Sequence, residues 1–308
     1  MRVVITGGTG LIGRALAADF AAGGHEVIVL SRDPSRVSGL PSGVRAEAWD
    51  ARTAGGWGRL VEGAGAVVNL AGARVAGPNP FVYRWTEGRK RLICESRQNA
   101  GAAVTQAVEA AAQKPEVVVQ VSGTNYYPPT GVIATEETPP GEDFLARVCV
   151  DCWERPTARV EDMGVRRVVV RVGPVLDARE GALPPLVLQH RLFAGGRLGS
   201  GRQWFPWVHR ADVAAAMRFL IDTPEARGAF NVCAPNPVTN ARFSQALGKV
   251  LGRPSLLRVP AFAMRLLLGE MADTLLLGPR VMPARLQEMG FAFRFPEVEA
   301  ALRDLLRG

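Results

Sequence analysis

The sequence predicts an α/β fold in which a doubly wound parallel sheet is followed by a smaller, mainly helical C-terminal lobe. Strand and helix patterns alternate along most of the chain, as a parallel sheet flanked by helices requires. A β-branched run, a glycine-rich turn and a helical pattern open the chain in that order. From residue 234 onward the chain is helical and interrupted by prolines. Together these features are typical of a Rossmann-type domain with an added lobe.

The opening segment has the pattern of a dinucleotide-binding turn. Residues 2–6 are strand-like, residues 14–20 are helix-like, and the turn between them reads Gly7-Gly8-Thr9-Gly10-Leu11-Ile12-Gly13. We expect Gly7 to permit the tight turn, Gly10 to let the backbone approach a pyrophosphate, and Gly13 to let the helix pack closely. The helix N-terminus then offers free N–H groups to the phosphates. The predicted cofactor contacts here are Gly7, Thr9, Gly10, Leu11, Ile12 and Gly13.

The end of the second strand indicates which nucleotide is bound. Residues 25–30 are strand-like and are followed by Ser31 and Arg32. A site for NAD usually has an acidic residue there, which would repel a 2′-phosphate. A hydroxyl and a guanidinium would bind that phosphate instead. Ser31 and Arg32 therefore favour NADP(H), with a solvated loop arginine as the alternative for Arg32.

Five further strand patterns complete the predicted sheet. They cover residues 46–49, 66–70, 116–121, 166–172 and 228–232. Ligands of such sheets bind outside the carboxyl ends of the strands, so residues there should line one crevice. The cofactor contacts predicted from these strand ends are Asp50, Asn69, Leu70, Ala71, Gly72, Ser122, Arg171 and Gly173.

Two segments of chain are expected to close over this crevice. We assign residues 1–173 and 207–233 to an NADP-binding domain, and residues 174–206 and 234–308 to a substrate-side lobe. Trp207 and His209 are placed on the substrate side. Trp207 could form an apolar wall or join the core. His209, with Asp212 three residues on, could serve proton transfer or support a loop.

Composition and charge exclude several classes of protein. The chain has 308 residues, of which 47% are hydrophobic, and no apolar run reaches membrane-spanning length. A strand pattern begins at Arg2, so we expect no signal or transit peptide and a cytoplasmic protein. The net charge is +8, and the sharpest basic cluster is read as a solvated helix face because no nucleic-acid motif accompanies it. That cluster comprises Arg84, Arg89, Lys90, Arg91 and Arg97.

We therefore expect a small-molecule substrate as the partner and expect no binding to nucleic acid or membrane. The expected oligomeric state is a monomer or a homodimer.

Four cysteines do not predict a disulfide framework in a chain of this length. Cys149 and Cys152 have C-x-x-C spacing, but no second pair or nearby histidine completes a zinc site. We interpret the spacing as coincidence and expect no metal.

Several motifs resemble the extended short-chain dehydrogenase/reductase superfamily, and within it an atypical epimerase family. They are the opening turn, Asn69-Leu70-Ala71-Gly72, Arg171-Val172-Gly173-Pro174, the segment from Gly199 to His209, Asn231-Val232-Cys233-Ala234-Pro235, Ala246-Leu247-Gly248 with Leu251-Gly252-Arg253-Pro254, and the tail Gly290-Phe291-Ala292-Phe293-Arg294-Phe295-Pro296. The resemblance covers essentially the whole chain. It implies NADP(H) binding and an oxidoreductase or epimerase activity, and it supplies no substrate.

The chain departs from that superfamily at the acid–base pair. The usual device is Tyr-x-x-x-Lys on a helix, in which the lysine lowers the tyrosine pKa and holds the ribose. Here the corresponding helix, residues 144–154, contains no tyrosine, and no lysine occurs between Lys114 and Lys249. The tyrosines of the chain are Tyr83, Tyr126 and Tyr127. The candidate catalytic residues are therefore Thr124 with Tyr126 or Tyr127.

Other groups near the predicted crevice offer alternatives. Arg147 could supply positive charge from the helix, although an arginine cannot relay protons. A carboxylate of the loop over residues 136–143 could act as a general acid or base if it were buried. The alternative is an exposed acidic loop. Its acidic residues are Glu136, Glu137, Glu142 and Asp143.

Three functions follow from this reading. The first is an NADP-dependent oxidoreductase or epimerase acting on a small carbonyl or hydroxyl compound. The second is a protein that binds NADP(H) without turnover, as a sensor or regulatory module, and the missing Tyr-x-x-x-Lys favours it. The third is a binder of nucleic acid or acidic protein that uses the arginine cluster. We rank them in that order.

Overall fold

Seven parallel strands form the central sheet of the computed structural model, which describes residues 1–76 and 84–307. Tyr83 lies outside the described residues. The strands are β1 (Arg2–Thr6), β2 (Glu26–Ser31), β3 (Val44–Ala48), β4 (Ala66–Asn69), β5 (Val117–Gly123), β6 (Arg166–Val172) and β7 (Gly228–Val232). Their order is β7-β6-β5-β4-β1-β2-β3, with every pairing parallel. The predicted doubly wound sheet is confirmed, and its strand order reverses between β1 and β4, where such sheets bind ligands.

Ten α-helices accompany these strands in the described part of the chain. They are α1 (Leu11–Ala22), α2 (Glu87–Ala110), α3 (Phe144–Arg147), α4 (Leu183–Arg191), α5 (Arg210–Asp222), α6 (Asn240–Leu251), α7 (Ala261–Leu268), α8 (Asp273–Leu276), α9 (Ala284–Glu288) and α10 (Val298–Arg307). α3 continues as a π-helical segment over Val148–Glu154 and a 3₁₀ segment over Arg155–Met163. Shorter 3₁₀ turns cover Pro34–Arg36, Gly58–Val61, Thr124–Tyr126 and Gly269–Ala272.

Helices cover both faces of the sheet. On one face, Val3 and Ile5 of β1 pack with residues of α1 and α5. On the other face, Val4 packs with residues of α2 and with Val160 of the 3₁₀ segment that follows α3. Alternate residues of β1 thus enter opposite cores, and both sets are apolar because a parallel sheet is buried on both sides.

The helical lobe has a core of its own. Residues of α4, α6 and α10 pack around Trp207 and Phe243. Four pairs of short strands join the connecting segments to one another. They are Val175–Leu176 with Val208–His209, Gly196–Leu198 with Leu257–Val259, Trp204–Phe205 with Val238–Thr239, and Ile133–Ala134 with Arg280–Val281. The predicted mainly helical lobe is therefore present.

Two negative observations apply to residues 1–76 and 84–307. No helix there is long and apolar enough to cross a membrane. No group of three or more histidine, cysteine or acidic side chains there is arranged to hold a metal ion.

A disulfide corrects the expectation for the cysteines. Cys152 is bonded to Cys94 of α2, 58 residues away, while Cys149 and Cys233 are free and buried. The bond joins α2 to the π-helical segment. Sequence spacing could not reveal it, because the two cysteines meet only when these helices pack together.

We predict that replacing Cys94 with serine lowers the free energy of unfolding under non-reducing conditions. Without the cross-link the unfolded chain gains conformational entropy, and this lowers the free energy of unfolding by roughly 2–4 kcal/mol. Chemical denaturation followed by circular dichroism measures the change. With dithiothreitol present, the wild-type chain should fall to the stability of the variant. Equal stability without reductant would show that the bond does not form.

Candidate active site

The glycine turn after β1 leaves one surface of the backbone open. Gly7 has a φ of +67°, and a Cβ there would lie 2.9 Å from the carbonyl carbon of Leu70. A Cβ on Gly13 would lie 2.5 Å from the Cα of Gly8, so the first turn of α1 packs directly on the loop. A Cβ on Gly10 would meet only the carbonyl oxygen of Gly7, at 3.4 Å. The close contacts are therefore internal, and the exposed side of Gly10 is free for a ligand.

The start of α1 suits a pyrophosphate. No side chain caps the helix, and its first turn contains no acidic residue. The backbone N–H groups of Leu11, Ile12 and Gly13 are therefore not taken by a capping side chain. Thr9 adjoins them, and its carbonyl oxygen accepts a hydrogen bond from Arg14 Nε at 2.7 Å. The donor set and the open surface at Gly10 fit the phosphates of a dinucleotide.

Ser31 is the last residue of β2 and Arg32 follows it, at the same edge of the sheet. The Ser31 hydroxyl accepts a hydrogen bond from the backbone N–H of Asp33 at 3.2 Å. Arg32 is exposed, and no carboxylate among the described residues lies within ion-pair distance of it. Arg36, one turn farther on, is bound to Asp33 at 3.1 Å. Arg32 is therefore the free cation at the end of β2 in the described chain.

Asp50, which follows β3, supports its own loop. Its carboxylate accepts hydrogen bonds at 2.8 Å from the backbone N–H groups of Arg52 and Thr53 and from the Thr53 hydroxyl. The backbone hydrogen bonds lower the pKa of Asp50. The residue is exposed, and its contact with the cofactor stays a prediction.

A row of polar side chains crosses the sheet at the ends of β1 and β4 and continues onto β5, three residues before that strand ends. Thr6, Asn69 and Gln120 are direct neighbours in the strand register. The Thr6 hydroxyl donates to Asn69 Oδ1 at 2.6 Å, and Asn69 Nδ2 donates to Gln120 Oε1 at 2.8 Å. Thr6 also accepts a hydrogen bond from the Ala71 N–H at 3.3 Å. Asn69 is fully buried, so its side chain holds the strand ends together rather than facing a ligand.

The segment that follows Asn69 borders the crevice. Leu70 and Ala71 are partly exposed, and Gly72 is exposed. Gly173, another predicted contact, is enclosed, because a Cβ there would overlap the carbonyl oxygen of Pro206. Its N–H donates to the Val232 carbonyl at 3.0 Å. Of these predicted contacts, Leu70, Ala71 and Gly72 are accessible to a cofactor, and Gly173 is a packing residue.

The two tyrosines after β5 have different surroundings. The Tyr127 hydroxyl donates to Asn231 Oδ1 at 2.8 Å and accepts from Arg171 Nη1 at 2.9 Å. Burial raises the pKa of Tyr127 to about 12. Tyr126 is partly exposed and lies over the Arg171 guanidinium, with 3.4 Å from Cζ to the ring centroid. Because the Tyr127 hydroxyl is hydrogen-bonded to Asn231 and Arg171, Tyr126 is the accessible one of these two tyrosines.

Arg171 is held in place by a carboxylate. Its Nε and Nη2 donate to the two carboxylate oxygens of Glu154, each at 3.0 Å. Burial opposes the charge on Arg171, but the ion pair with Glu154 outweighs it and raises the pKa. Arg171 was expected to contact the cofactor. Its donors instead hold Glu154 and Tyr127, so it supports the Tyr126 side of the crevice.

The helix that should carry the missing pair presents other side chains to the end of β5. Cys149 Sγ lies 3.7 Å from the Gly123 carbonyl oxygen, and Trp153, four residues later, also borders Gly123. Burial raises the pKa of the Cys149 thiol to about 12. Arg147, considered as a source of charge, is exposed. Nearby, Ser122 is buried, and Thr124 is also buried at the start of a 3₁₀ turn.

Arg97 of α2 supplies the positive charge beside this helix. From the sequence, Arg97 was predicted to lie on a solvated helix face. Arg97 is only 3% exposed, and its Cζ lies 4.1 Å from the centroid of the Trp153 ring. A signal was present in the sequence: Arg97 lies in the helical stripe of Ile93, Ala100 and Val104, all fully buried. An arginine in an apolar stripe marks a buried cation.

The rest of the basic cluster is also largely bound. Arg84 Nε donates to the Leu267 carbonyl at 3.3 Å, and Lys90 pairs with Glu270 at 2.5 Å. Arg89 donates to the carbonyls of Arg74 and Ala76. Of the five basic residues, Arg91 alone remains exposed without a recorded partner among the described residues. The solvated-face interpretation was wrong for Arg97, which is buried, whereas Arg84 is exposed and Arg89 and Lys90 are partly exposed.

Trp207 and His209 belong to the interior and not to a substrate wall. Trp207 is fully buried in the core of the lobe. His209 Nδ1 accepts a hydrogen bond from the Ala211 N–H at 3.1 Å and thereby caps α5. Its ring lies 3.9 Å from that of Phe295, and its Nε2 is 3.3 Å from Asp304. These contacts correct the substrate-side placement, because both side chains are needed to join α5 to the C-terminal segment.

Asp212 does not orient the imidazole. Its carboxylate accepts hydrogen bonds from the N–H groups of Arg294 and Phe295, at 2.8 and 3.0 Å. In the acidic loop, Glu136 is partly buried: its Oε1 accepts a hydrogen bond from the Asn231 N–H at 2.9 Å, and burial raises its pKa. Asp143 caps α3, while Glu137 and Glu142 are exposed.

Comparisons with known proteins agree with this arrangement. Residues 3–233 match the NAD dependent epimerase/dehydratase family, and residues 259–305 match a domain of unknown function, DUF1731. The chloroplastic epimerase family protein SDR39U1 homolog of Arabidopsis thaliana is 38% identical, over 100% of this chain and 87% of the plant protein. The epimerase family protein SDR39U1 of Homo sapiens is 36% identical, over 99% and 100% of the respective chains.

Solved structures show the same similarity. A crystal structure of human SDR39U1 (isoform 2) with NADPH superposes with a TM-score of 0.89 and 35% identity, covering 100% of this chain and 99% of the human one. A nucleoside-diphosphate sugar epimerase of Corynebacterium glutamicum has a TM-score of 0.77 and 32% identity, covering 99% of this chain and 58% of that protein. The cofactor in the human structure is the one that Ser31 and Arg32 predict.

The burial of His209 predicts a pH-dependent contribution to stability. Burial lowers the pKa of His209 from 6.5 to about 4. Between these values the unfolded chain binds more protons than the folded chain, so stability falls as the pH falls. Replacing His209 with asparagine keeps an N-cap acceptor and removes this titration.

Chemical denaturation of both proteins between pH 7 and pH 4.5 tests this. The stability advantage of the wild-type chain should shrink on acidification, by at most about 1.4 kcal/mol per pH unit. A difference that does not change with pH would contradict the prediction.

Proposed function

The chain belongs to the NAD dependent epimerase/dehydratase family, and from this premise we propose that it binds NADP(H) and transfers hydride between that cofactor and a small carbonyl or hydroxyl compound. The observation that carries the proposal is the open backbone surface at Gly10 in front of the uncapped start of α1. Arg32 supports the choice of NADP(H), because it is an exposed cation where the 2′-phosphate of such a cofactor lies.

The reaction needs a hydride and a proton. Bound NADPH supplies the hydride from C4 of its nicotinamide ring. The proton has to come from this chain or from water, and the Tyr126 hydroxyl is the accessible phenol after β5. Arg171 holds the Tyr126 ring by its face, and Glu154 fixes Arg171, so the phenol is presented in one orientation. Thr124 adds a second hydroxyl-bearing residue to the same turn.

The second candidate is a module that binds NADP(H) without turnover. Cys149 and Trp153 border the end of β5, on the helix where a tyrosine and a lysine would assist hydride transfer. A buried thiol with a pKa of about 12 is a poor proton donor at neutral pH. These observations favour binding alone, and the two functions differ in whether the hydride leaves the cofactor.

Cofactor choice is tested at Arg32. Replacing Arg32 with glutamate should weaken NADPH binding about 10- to 100-fold, because a charge-assisted hydrogen bond is lost and repulsion is gained. NADH binding should change little. The matched control is Arg36→Glu, which makes the same charge change in the same loop at a residue bound to Asp33. Titration calorimetry measures the affinities of the wild-type chain and of both variants for each nucleotide. Equal losses for both nucleotides, or in both variants, would contradict the assignment.

Turnover is tested by single-turnover assays with NADPH deuterated at C4. The chain is mixed with a panel of aldehydes, α-keto acids and nucleoside-diphosphate keto-sugars, each of which carries a carbonyl that can accept the deuteride, and deuterium transfer is followed by mass spectrometry. We expect transfer to at least one compound, with a loss of at least about 100-fold for Tyr126→Phe. Tyr127→Phe serves as the comparison in the adjacent position. Tight NADPH binding without deuterium transfer to any member of the panel would contradict the proposed enzyme activity and favour the module that binds NADP(H) without turnover.

A further inference from the structure

The disulfide between Cys94 and Cys152 lies next to the residue that anchors the candidate site. Cys152 belongs to the π-helical segment, and Glu154 is the last residue of that segment. Glu154 binds Arg171 through both carboxylate oxygens, and the Arg171 guanidinium lies against the Tyr126 ring. The carboxylate on which the orientation of Tyr126 depends therefore follows the bonded cysteine by two positions.

The π-helical segment has a backbone geometry that needs support. π-Helices are rare and occur mostly as single-turn bulges within α-helices. The disulfide ties the fifth residue of this segment to α2. If the segment relaxed to an α-helix, the side chains after the turn would rotate by about 100° around the helix axis. Glu154 would then turn away from Arg171, so the position of its carboxylate depends on the backbone path that the cross-link holds.

The packing beside the bond does not replace it. Ile93 of α2 and Val148 of the π-helical segment are buried in one apolar cluster with Cys152. Apolar contacts are non-directional, so they hold the two elements together without fixing how the segment is turned. The covalent bond is the contact that fixes the direction.

An external reductant can reach one end of the bond. Cys94 is partly exposed, whereas Cys152 is only 6% exposed. The other cysteine of the segment, Cys149, lies with its Sγ 3.7 Å from the Gly123 carbonyl oxygen, and burial raises its pKa to about 12. Because the thiolate is the form that attacks a disulfide, Cys149 does not open the neighbouring bond at neutral pH. Reduction has to come from outside the chain, at Cys94.

We propose that the Cys94–Cys152 disulfide is a redox switch of the candidate site, opened by an external dithiol. A thiolate of the dithiol attacks Cys94 Sγ, the S–S bond breaks, and Cys152 leaves with the electron pair and takes up a proton. The second thiolate then attacks the dithiol sulfur of the mixed disulfide, and Cys94 leaves and is protonated. Two electrons and two protons pass to the protein, and the dithiol becomes a disulfide.

The inference rests on the proposed function and adds regulation to it. In the oxidised chain Glu154 is held against Arg171, and the Tyr126 ring is supported in one orientation. In the reduced chain the segment can relax, Arg171 loses its carboxylate partner, and Tyr126 loses its fixed support. The oxidised form is therefore the more active one.

The experiment follows the ring signals of Tyr126 by nuclear magnetic resonance in the full chain labelled with ¹³C-tyrosine and free of cofactor. Tyr126→Phe assigns the signals. Spectra are recorded before reduction, after treatment with dithiothreitol and desalting without oxygen, and after reoxidation with glutathione disulfide. Thiol labelling of the denatured chain should count two free cysteines in the oxidised form and four in the reduced form. We expect the Tyr126 signals to move on reduction and to return on reoxidation.

Hydride transfer provides a second readout. In single-turnover assays with NADPH, the rate should fall about tenfold on reduction, because a displaced proton donor loses its alignment with the substrate. The reductant is removed before the assay, since free thiols react with aldehydes.

Three variants separate the bond from its surroundings. Cys94→Ser cannot form the bond, so its Tyr126 signals should match those of the reduced wild-type chain, and dithiothreitol should not move them. Glu154→Gln removes the anchoring charge, so reduction should no longer change the rate of hydride transfer. Arg155→Gln removes only an exposed ion pair with Asp151, and it should keep the full response.

Several results would overturn the proposal. Tyr126 signals that stay in place in a chain with four free thiols would show that the bond does not control the site. A response to dithiothreitol that persists in Cys94→Ser would assign the response to another group. Unfolding of the reduced chain, seen by circular dichroism, would make the bond a structural one only. Should Cys94→Ser fail to fold, Cys152→Ala takes its place, because it also lacks the bond.

Failure of the proposed function is distinguishable from failure of this inference. The Tyr126 signals are measured without NADPH or substrate, so they do not depend on cofactor binding or on turnover. If the signals respond to reduction and no compound accepts hydride, the switch stands in a module that binds NADP(H) without turnover. If hydride is transferred at the same rate in both forms, the enzyme stands and the switch is wrong.

Discussion

The guanidinium of Arg171 joins parts of the chain that are far apart in sequence, and the shape of the candidate site depends on it. It pairs with Glu154 on the helical segment, donates to Tyr127 after β5, and supports the ring of Tyr126. Tyr127 passes the connection to Asn231 of β7, whose side chain donates to the Met282 carbonyl at 3.0 Å. One buried network thus ties the sheet to the C-terminal segment.

Buried polar networks are stable only when every member is satisfied. The donors of Arg171 are divided between a carboxylate and a phenol, and the Asn231 N–H is accepted by Glu136. Removing a single partner would leave a charge or a hydroxyl without compensation in the interior, which costs more than the net value of the bond. The network therefore fixes the relative positions of the elements around the crevice as a unit.

Local patterns predicted the parts of the fold that depend on neighbours in sequence. Residues 166–172 and 228–232 are strands as expected, and the glycine turn packs as its spacing indicates. The alternation between strands and helices was sufficient to predict a doubly wound parallel sheet, because parallel strands need crossover helices. The carboxyl ends of the predicted strands then indicated the edge of the sheet at which the candidate site residues lie.

The site itself was only partly predictable, because side-chain partners come from tertiary packing. Trp207 stands in an aromatic segment that reads equally as wall or core, and only the packing of α4, α6 and α10 decides it. Arg97 was assigned by the charge of its neighbours, although its position in the apolar stripe of α2 indicated burial. The bond between Cys94 and Cys152 depends on two helices meeting, which no spacing rule describes.

The late position of β7 in the chain has a consequence for biosynthesis. β7 pairs with β6 along the outer edge of the sheet, yet 55 residues of other structure separate Val172 from Gly228. While the chain emerges from the ribosome, β6 therefore presents an uncovered row of backbone donors and acceptors to its surroundings. Such an edge can pair with another nascent chain. Protection of the nascent sheet has to wait until Gly228–Val232 has been translated and docked.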